Sequence, residues 1–94
     1  MAATVRIFHV PLGRTLATPG ALEVTAQAER SIALNRHSRG DWGDVVGADW
    51  RANDLALQSG ERLLSVYHTL NDTKFRIITE ADRSATTILL PSEY

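Results

Sequence analysis

Three runs in the C-terminal third, Arg62–His68, Lys74–Glu80 and Ala85–Pro91, are rich in β-branched and aromatic residues and are separated by two polar breaks. That alternation is how an antiparallel meander reads in sequence, and it commits this part of the chain to a sheet. The first break, Asn71-Asp72-Thr73, offers side chains that bond to nearby backbone and tolerate left-handed geometry, so it predicts a tight connection. The second, Ala81–Ser84, contains no glycine and needs Asp82 or Ser84 to close the turn through a side-chain to backbone hydrogen bond. In the middle run Phe75 and Ile77 share one face while Arg76 and Ile78 share the other, so neither face is purely polar. A sheet of this kind expects helices on its cleaner apolar face and leaves room for a partner on the second.

Upstream, Val5–Val10 alternates well enough for a strand, Pro11 and Gly13 break it, and Arg14–Ala17 is a second short extended piece. Thr18-Pro19-Gly20 reads as a helix start, with Thr18 as N-cap and Pro19 at the first helical position, where its missing N–H costs nothing. The alanine-rich stretch predicts that this helix continues to Glu29, that a second begins near Ser31, and that Gly40 ends it as a left-handed cap. A third helix is expected from Ala48 to Ser59, stopped by Gly60, with Val46, Trp50 and Leu57 on its packed face and Asp49, Asp54 and Gln58 on its exposed face. The expectation is a single α+β domain over residues 1–94. Its small antiparallel sheet combines the C-terminal three-stranded meander with an N-terminal strand and packs against two or three short helices. Trp42, bracketed by Gly40 and Gly43, and Trp50 are both expected to pack on that sheet.

Composition excludes several classes of function. Without cysteine there is no disulfide, thiol nucleophile or cysteine-held metal. No apolar run reaches the roughly 18 residues of a membrane span, and the N-terminus lacks the pattern of a signal peptide, so a soluble cytoplasmic protein is expected. Phosphate-binding, dinucleotide-binding and nucleophile-elbow motifs are absent, and no cofactor is expected. Charge is uneven. Residues 1–40 carry five arginines against Glu23 and Glu29, whereas residues 41–94 carry five basic and nine acidic side chains. Asp41, Asp44, Asp49, Asp54 and Glu61 concentrate part of that excess, opposed only by Arg51, and form the candidate partner-binding set. Scattered basic residues and a net charge of −1 argue against direct nucleic-acid binding.

The remaining candidates each have a structural alternative. His9, His37 and His68 are too far apart in sequence for a local metal frame, and no metal site is expected. His37 and Asp41, four apart across a helix end, are the best local acid–base pair, or equally a favourable contact at the negative end of the helix. Glu80 and Asp82 could work as paired carboxylates, but turn closure already accounts for Asp82.

His37, Gly40-Asp41-Trp42-Gly43, Arg62–Tyr67, the run Ile77–Ser84 and Leu89–Tyr94, together with Thr18–Leu22, resemble the short "plasmid-related" proteins of bacterial mobile elements. Some members carry the label of a type I restriction endonuclease modification subunit. That label does not suit this chain, because a methyltransferase needs a nucleotide-cofactor domain and a target-recognition region. The chain departs from the family at Arg76, where a tryptophan commonly precedes the paired isoleucines. The resemblance implies a setting on horizontally moved DNA, where small non-enzymatic proteins often act on host defences. The expected function is therefore a small binding protein that inhibits or modulates a nucleic-acid defence complex, of anti-CRISPR or anti-restriction type, through an acidic face. The alternatives are a structural or regulatory interaction protein of the element, homodimeric through an exposed sheet edge, and a minimal hydrolase.

Overall fold

A computed structural model describes residues 9–93. Within them the chain forms β1 (Arg14–Ala17), α1 (Pro19–Val24), α2 (Gln27–Ser38), α3 (Gly47–Ser59), β2 (Leu63–His68), β3 (Lys74–Thr79), β4 (Ala85–Leu89) and a 3₁₀ turn, Pro91–Glu93. The architecture is α+β, with one four-stranded sheet in the order β1-β4-β3-β2. The meander is as expected, β2 pairing β3 and β3 pairing β4 antiparallel. The N-terminal strand differs from expectation. It is the expected extended piece Arg14–Ala17, but it runs parallel to β4, so the sheet is mixed rather than antiparallel. Gly13 allows this entry: its φ is +62°, and a Cβ there would stand 2.3 Å from the Ser84 carbonyl oxygen. The strand expected over Val5–Val10 lies outside the described residues except for His9 and Val10, which belong to no strand.

Both hairpins close without glycine. Asp72 and Arg83 take the left-handed conformation, each at φ 62°. In the second turn Arg83 N–H donates to the Glu80 carbonyl at 2.9 Å, and Asp82 Oδ1 accepts from Ser84 N–H at 3.0 Å, as the sequence required. The Arg83 guanidinium then reaches back to the end of α3 and donates to the carbonyls of Ala56 (3.1 Å) and Glu61 (2.7 Å). The Ala56 carbonyl also accepts from Gly60 N–H, so the guanidinium ties the second turn to the end of α3.

The first helix is shorter than expected. Thr18 caps it, accepting from Ala21 N–H at 3.2 Å, but Thr25 leaves the helix in an extended conformation, with its hydroxyl on the Ala21 carbonyl at 2.5 Å. Two adjacent β-branched residues, Val24 and Thr25, weaken helix here, and the Thr25 hydroxyl joins its own backbone N–H on the Ala21 carbonyl. Glu29 restarts the chain as α2 by accepting from Ala26 N–H at 2.8 Å. Gly40, at φ 79°, ends α2 in a Schellman arrangement: Gly40 N–H donates to His37 O and Asp41 N–H to Arg36 O.

All three helices pack on one sheet face. One cluster joins Ala21 and Ala33 to Tyr67, Phe75, Ile77 and Ile88; a second joins Val10, Trp42 and Ala56 to Leu63. Trp42 is 0 % exposed, whereas Trp50 is half-buried against the second cluster. On α3 the packed face is Asn53 and Ala56 with Trp50 and Leu57 beside them, and Val46 and Leu55 are exposed. This corrects the expected role of Val46, which precedes the helix as its N-cap.

Asn53 also pairs with the outer edge of β2: its amide accepts from Leu64 N–H (3.0 Å) and donates to Leu64 O (2.7 Å). One residue pair further on, Val66 N–H donates to Trp42 O and Asp44 N–H to Val66 O. Gly43 lies against that edge at φ 75°, where a Cβ would meet the Val66 carbonyl oxygen. Between them these groups occupy the β2 edge at Leu64 and Val66, which otherwise invites pairing with another chain.

Because Trp42 is enclosed and Trp50 only half so, Trp42→Ala should lower stability by about 3–5 kcal/mol and Trp50→Ala by less. Urea unfolding of the two variants checks the order, and the reverse order would contradict this packing.

Candidate functional site

The reactive-looking side chains converge at His37, in the last turn of α2. It does not meet Asp41. His37 is 0 % exposed, with Nδ1 2.5 Å from Ser65 Oγ and Nε2 2.8 Å from Thr79 Oγ1. Thr79 Oγ1 is 2.8 Å from Thr86 Oγ1, which is 2.7 Å from the Leu12 carbonyl. A carbonyl only accepts, so the direction of the chain follows as far as the ring. Thr86 donates to Leu12 O, Thr79 donates to Thr86, His37 donates from Nε2–H to Thr79, and Ser65 donates to Nδ1. The ring is thus protonated on Nε2, and its lowered pKa leaves Nδ1 without a proton near neutral pH, so that it accepts from Ser65. Burial lowers its pKa to about 4, and the positive charge of Arg83 acts in the same direction.

Serine beside histidine is the layout of an activated nucleophile. Here Ser65 is also 0 % exposed, and the Trp42 ring stands edge-on to the imidazole at 5.5 Å. Both groups are enclosed, and the contact ties the end of α2 to β2.

The candidate carboxylates have separate surroundings. Asp41 holds Arg36 through two contacts, 2.7 and 3.2 Å, and accepts from Gly43 N–H; the Arg36 guanidinium keeps its carboxyl below the usual range. Arg36 in turn lies 4.7 Å over the Tyr67 ring, whose hydroxyl donates to Asp41 O at 2.5 Å. Asp44 is 2.7 Å from His68 Nδ1. Asp54 accepts from the Trp42 indole N–H at 3.0 Å. Glu61 accepts from the Ser59 hydroxyl at 3.3 Å, and Asp49 stands exposed on the first turn of α3. Five residues apart on one helix, Asp49 and Asp54 point about 140° from each other. The acidic segment of the sequence therefore does not fold into one acidic face. Glu80 and Asp82 do not pair either, since Asp82 is turned onto Ser84. Among the described residues no group of three His, Asp or Glu side chains is placed to hold a metal ion, and no helix is long and apolar enough to cross a membrane.

Two surface features escaped the sequence reading. Leu70, at the tip of the first hairpin, is 97 % exposed, and Ile32 on α2 is 62 % exposed. They border a hollow of about 280 Å³ with Ala28, Ala33, Tyr67 and Phe75 in its walls and Glu29, Arg36 and His68 at its rim. Glu29 ties the two sides together: one carboxylate oxygen caps Ala26 and the other accepts from Leu70 N–H at 2.8 Å. Arg76 projects from the opposite sheet face, in register between Val66 and Leu89, with a buried Nε that has no partner among the described residues. The chain matches no protein-family model, no curated protein and no solved structure.

His37 is held neutral when folded and gains a proton at its ordinary pKa when unfolded, so the unfolded state binds more protons between about pH 4 and 6.5. Stability is therefore lost as pH falls through that window, by about 2 kcal/mol from pH 7 to pH 5. His37→Gln should be less stable at pH 7 and show a flatter profile from pH 7 to pH 5. Urea titrations at several pH values test this, and a profile unchanged by the substitution would contradict it.

Proposed function

We propose that this chain is a small binding protein that acts by contact with another protein and performs no chemistry of its own. One observation carries the reading: the hairpin tip is fixed to α2 through Glu29 while the Leu70 side chain is presented almost wholly to solvent beside an apolar hollow. An exposed leucine contributes little to the folded monomer, whereas burying it against a partner is worth roughly 1.5–3 kcal/mol. Exposed large apolar groups gathered at a concave surface are characteristic of interaction sites. The reading is also supported by the uses that His37, Ser65, Asp41 and Asp82 already have inside the fold.

Within this reading the partner is a nucleic-acid-processing defence complex, as the resemblance to mobile-element proteins suggests. Asp49, exposed on the first turn of α3, would then face its basic surface and steer encounter. A homo-oligomeric interaction protein is the alternative.

Leu70→Asp should leave the unfolding midpoint unchanged and remove the partner retained from a bacterial lysate by the parent protein. Binding of that partner should weaken as salt rises, and Asp49→Lys should slow association more than it speeds dissociation. Retention of the same partner by Leu70→Asp would overturn the assignment of the hollow, and binding indifferent to salt and to charge reversal would overturn the steering role.

A further inference from the structure

We propose that the outer edge of β1 is a docking site for an extended acidic segment of a partner protein, which joins the sheet as a fifth strand next to Thr15 and Ala17. The site is separate from the Leu70 hollow.

Backbone geometry makes the edge available. In the parallel pairing with β4, Arg14 N–H donates to Ser84 O and Thr18 N–H to Ile88 O, both at 3.0 Å. Alternate residues of a strand turn their polar groups to opposite sides. Thr15 and Ala17 therefore direct N–H and C=O away from β4, and none of the described residues bonds to them. Asn53 and the Trp42–Asp44 segment occupy the β2 edge, so among the described residues one border of the sheet is covered and the other is open.

A side-chain receptor lies beside that border. A hollow of about 340 Å³ opens between β1 and α2, with Leu16, Leu22, Leu34 and Ile88 among its walls, and Leu16 and Leu22 are themselves 42 % and 52 % exposed. Thr15 and Ala17 share the helix-facing side of the sheet with Thr86 and Ile88. Every second side chain of an added strand would pass over this hollow, which is how strand addition combines main-chain affinity with side-chain selectivity.

Charge identifies the occupant. Arg30 lines the hollow and Arg14 begins the strand. Among the described residues Arg30 donates from Nη1, to Thr25 O (2.6 Å) and Thr25 Oγ1 (2.9 Å), and its other nitrogens face no described acceptor. A carboxylate on the incoming strand fits that guanidinium. A second copy of this chain fits poorly, since two β1 edges brought together would add arginines to arginines.

Isotope-labelled full-length protein can be titrated with a capped heptapeptide alternating valine and glutamate, with its lysine counterpart, and with the glutamate peptide N-methylated at alternate amides. The glutamate peptide should shift and protect the amides of Thr15 and Ala17 and bind about tenfold or more tightly than the lysine peptide, N-methylation in the edge-facing register should weaken it by a similar factor, and so should Ala17→Pro. That substitution removes an outward N–H and no bond of the existing ladder, and the N-methylated peptide tests the same contact without altering the protein. Equal affinity for both charged peptides, no response at Thr15 and Ala17 up to millimolar peptide, or a sedimenting dimer through this edge that the peptide does not dissociate would each overturn the proposal.

Discussion

A neutral imidazole can be buried at a helix end only when both of its nitrogens find partners, because each unmatched polar atom would cost about 1–3 kcal/mol. His37 meets that constraint with Ser65 on one side and Thr79 on the other, and the relay continues through Thr86 to the Leu12 carbonyl. Five segments of chain are tied in this way: α2, β2, β3, β4 and the approach to β1. The direction of the bonds from Nε2 onward follows from the terminal carbonyl, so a change of tautomer would disrupt more than one contact. Polar chains of this kind favour one arrangement of helix on sheet where apolar contacts alone would tolerate several.

The two apolar clusters follow from that placement. Ser65 lies opposite Ile77, and Thr79 lies between Leu63 and Thr86 in register, so the hydroxyls occupy the same sheet face as both clusters. Trp42 closes the second cluster because the Schellman turn at Gly40 brings the chain back over His37, and Asp54 then receives the indole N–H. The same excursion places Trp42–Asp44 along β2. Among the described residues the β1 border and the hairpin tip lie outside this arrangement, and they are the two surfaces for which binding is proposed.

Much of the fold was legible in the sequence because local chemistry decided it. The meander, the Thr18 cap, the Asp82 turn and the glycine stops after α2 and α3 depend on residues within a few positions of one another. The parallel course of β1 was not legible, since it rests on Gly13 approaching Ser84, far away in sequence. The break at Thr25 was readable in part, from Glu29 three residues after Ala26. The candidate site was less legible. His37 and Asp41 are close in sequence, yet the helix points the ring inward while Asp41 turns to Arg36. The carboxylates between 41 and 61 fall on a loop, two sides of a helix and the segment after it, so proximity in sequence gave no shared face. Threonines at inward positions of β3 and β4 were the available sign of a polar seam, because an apolar residue would be the default there.

Nitrogen-15 spectra of the His37 ring across pH 4–7 test the account most directly. It predicts a neutral ring protonated on Nε2, persisting well below the ordinary histidine pKa. A ring protonated on Nδ1 at neutral pH, or one that titrates near 6.5 in the folded protein, would contradict the buried relay on which this description of the fold is built.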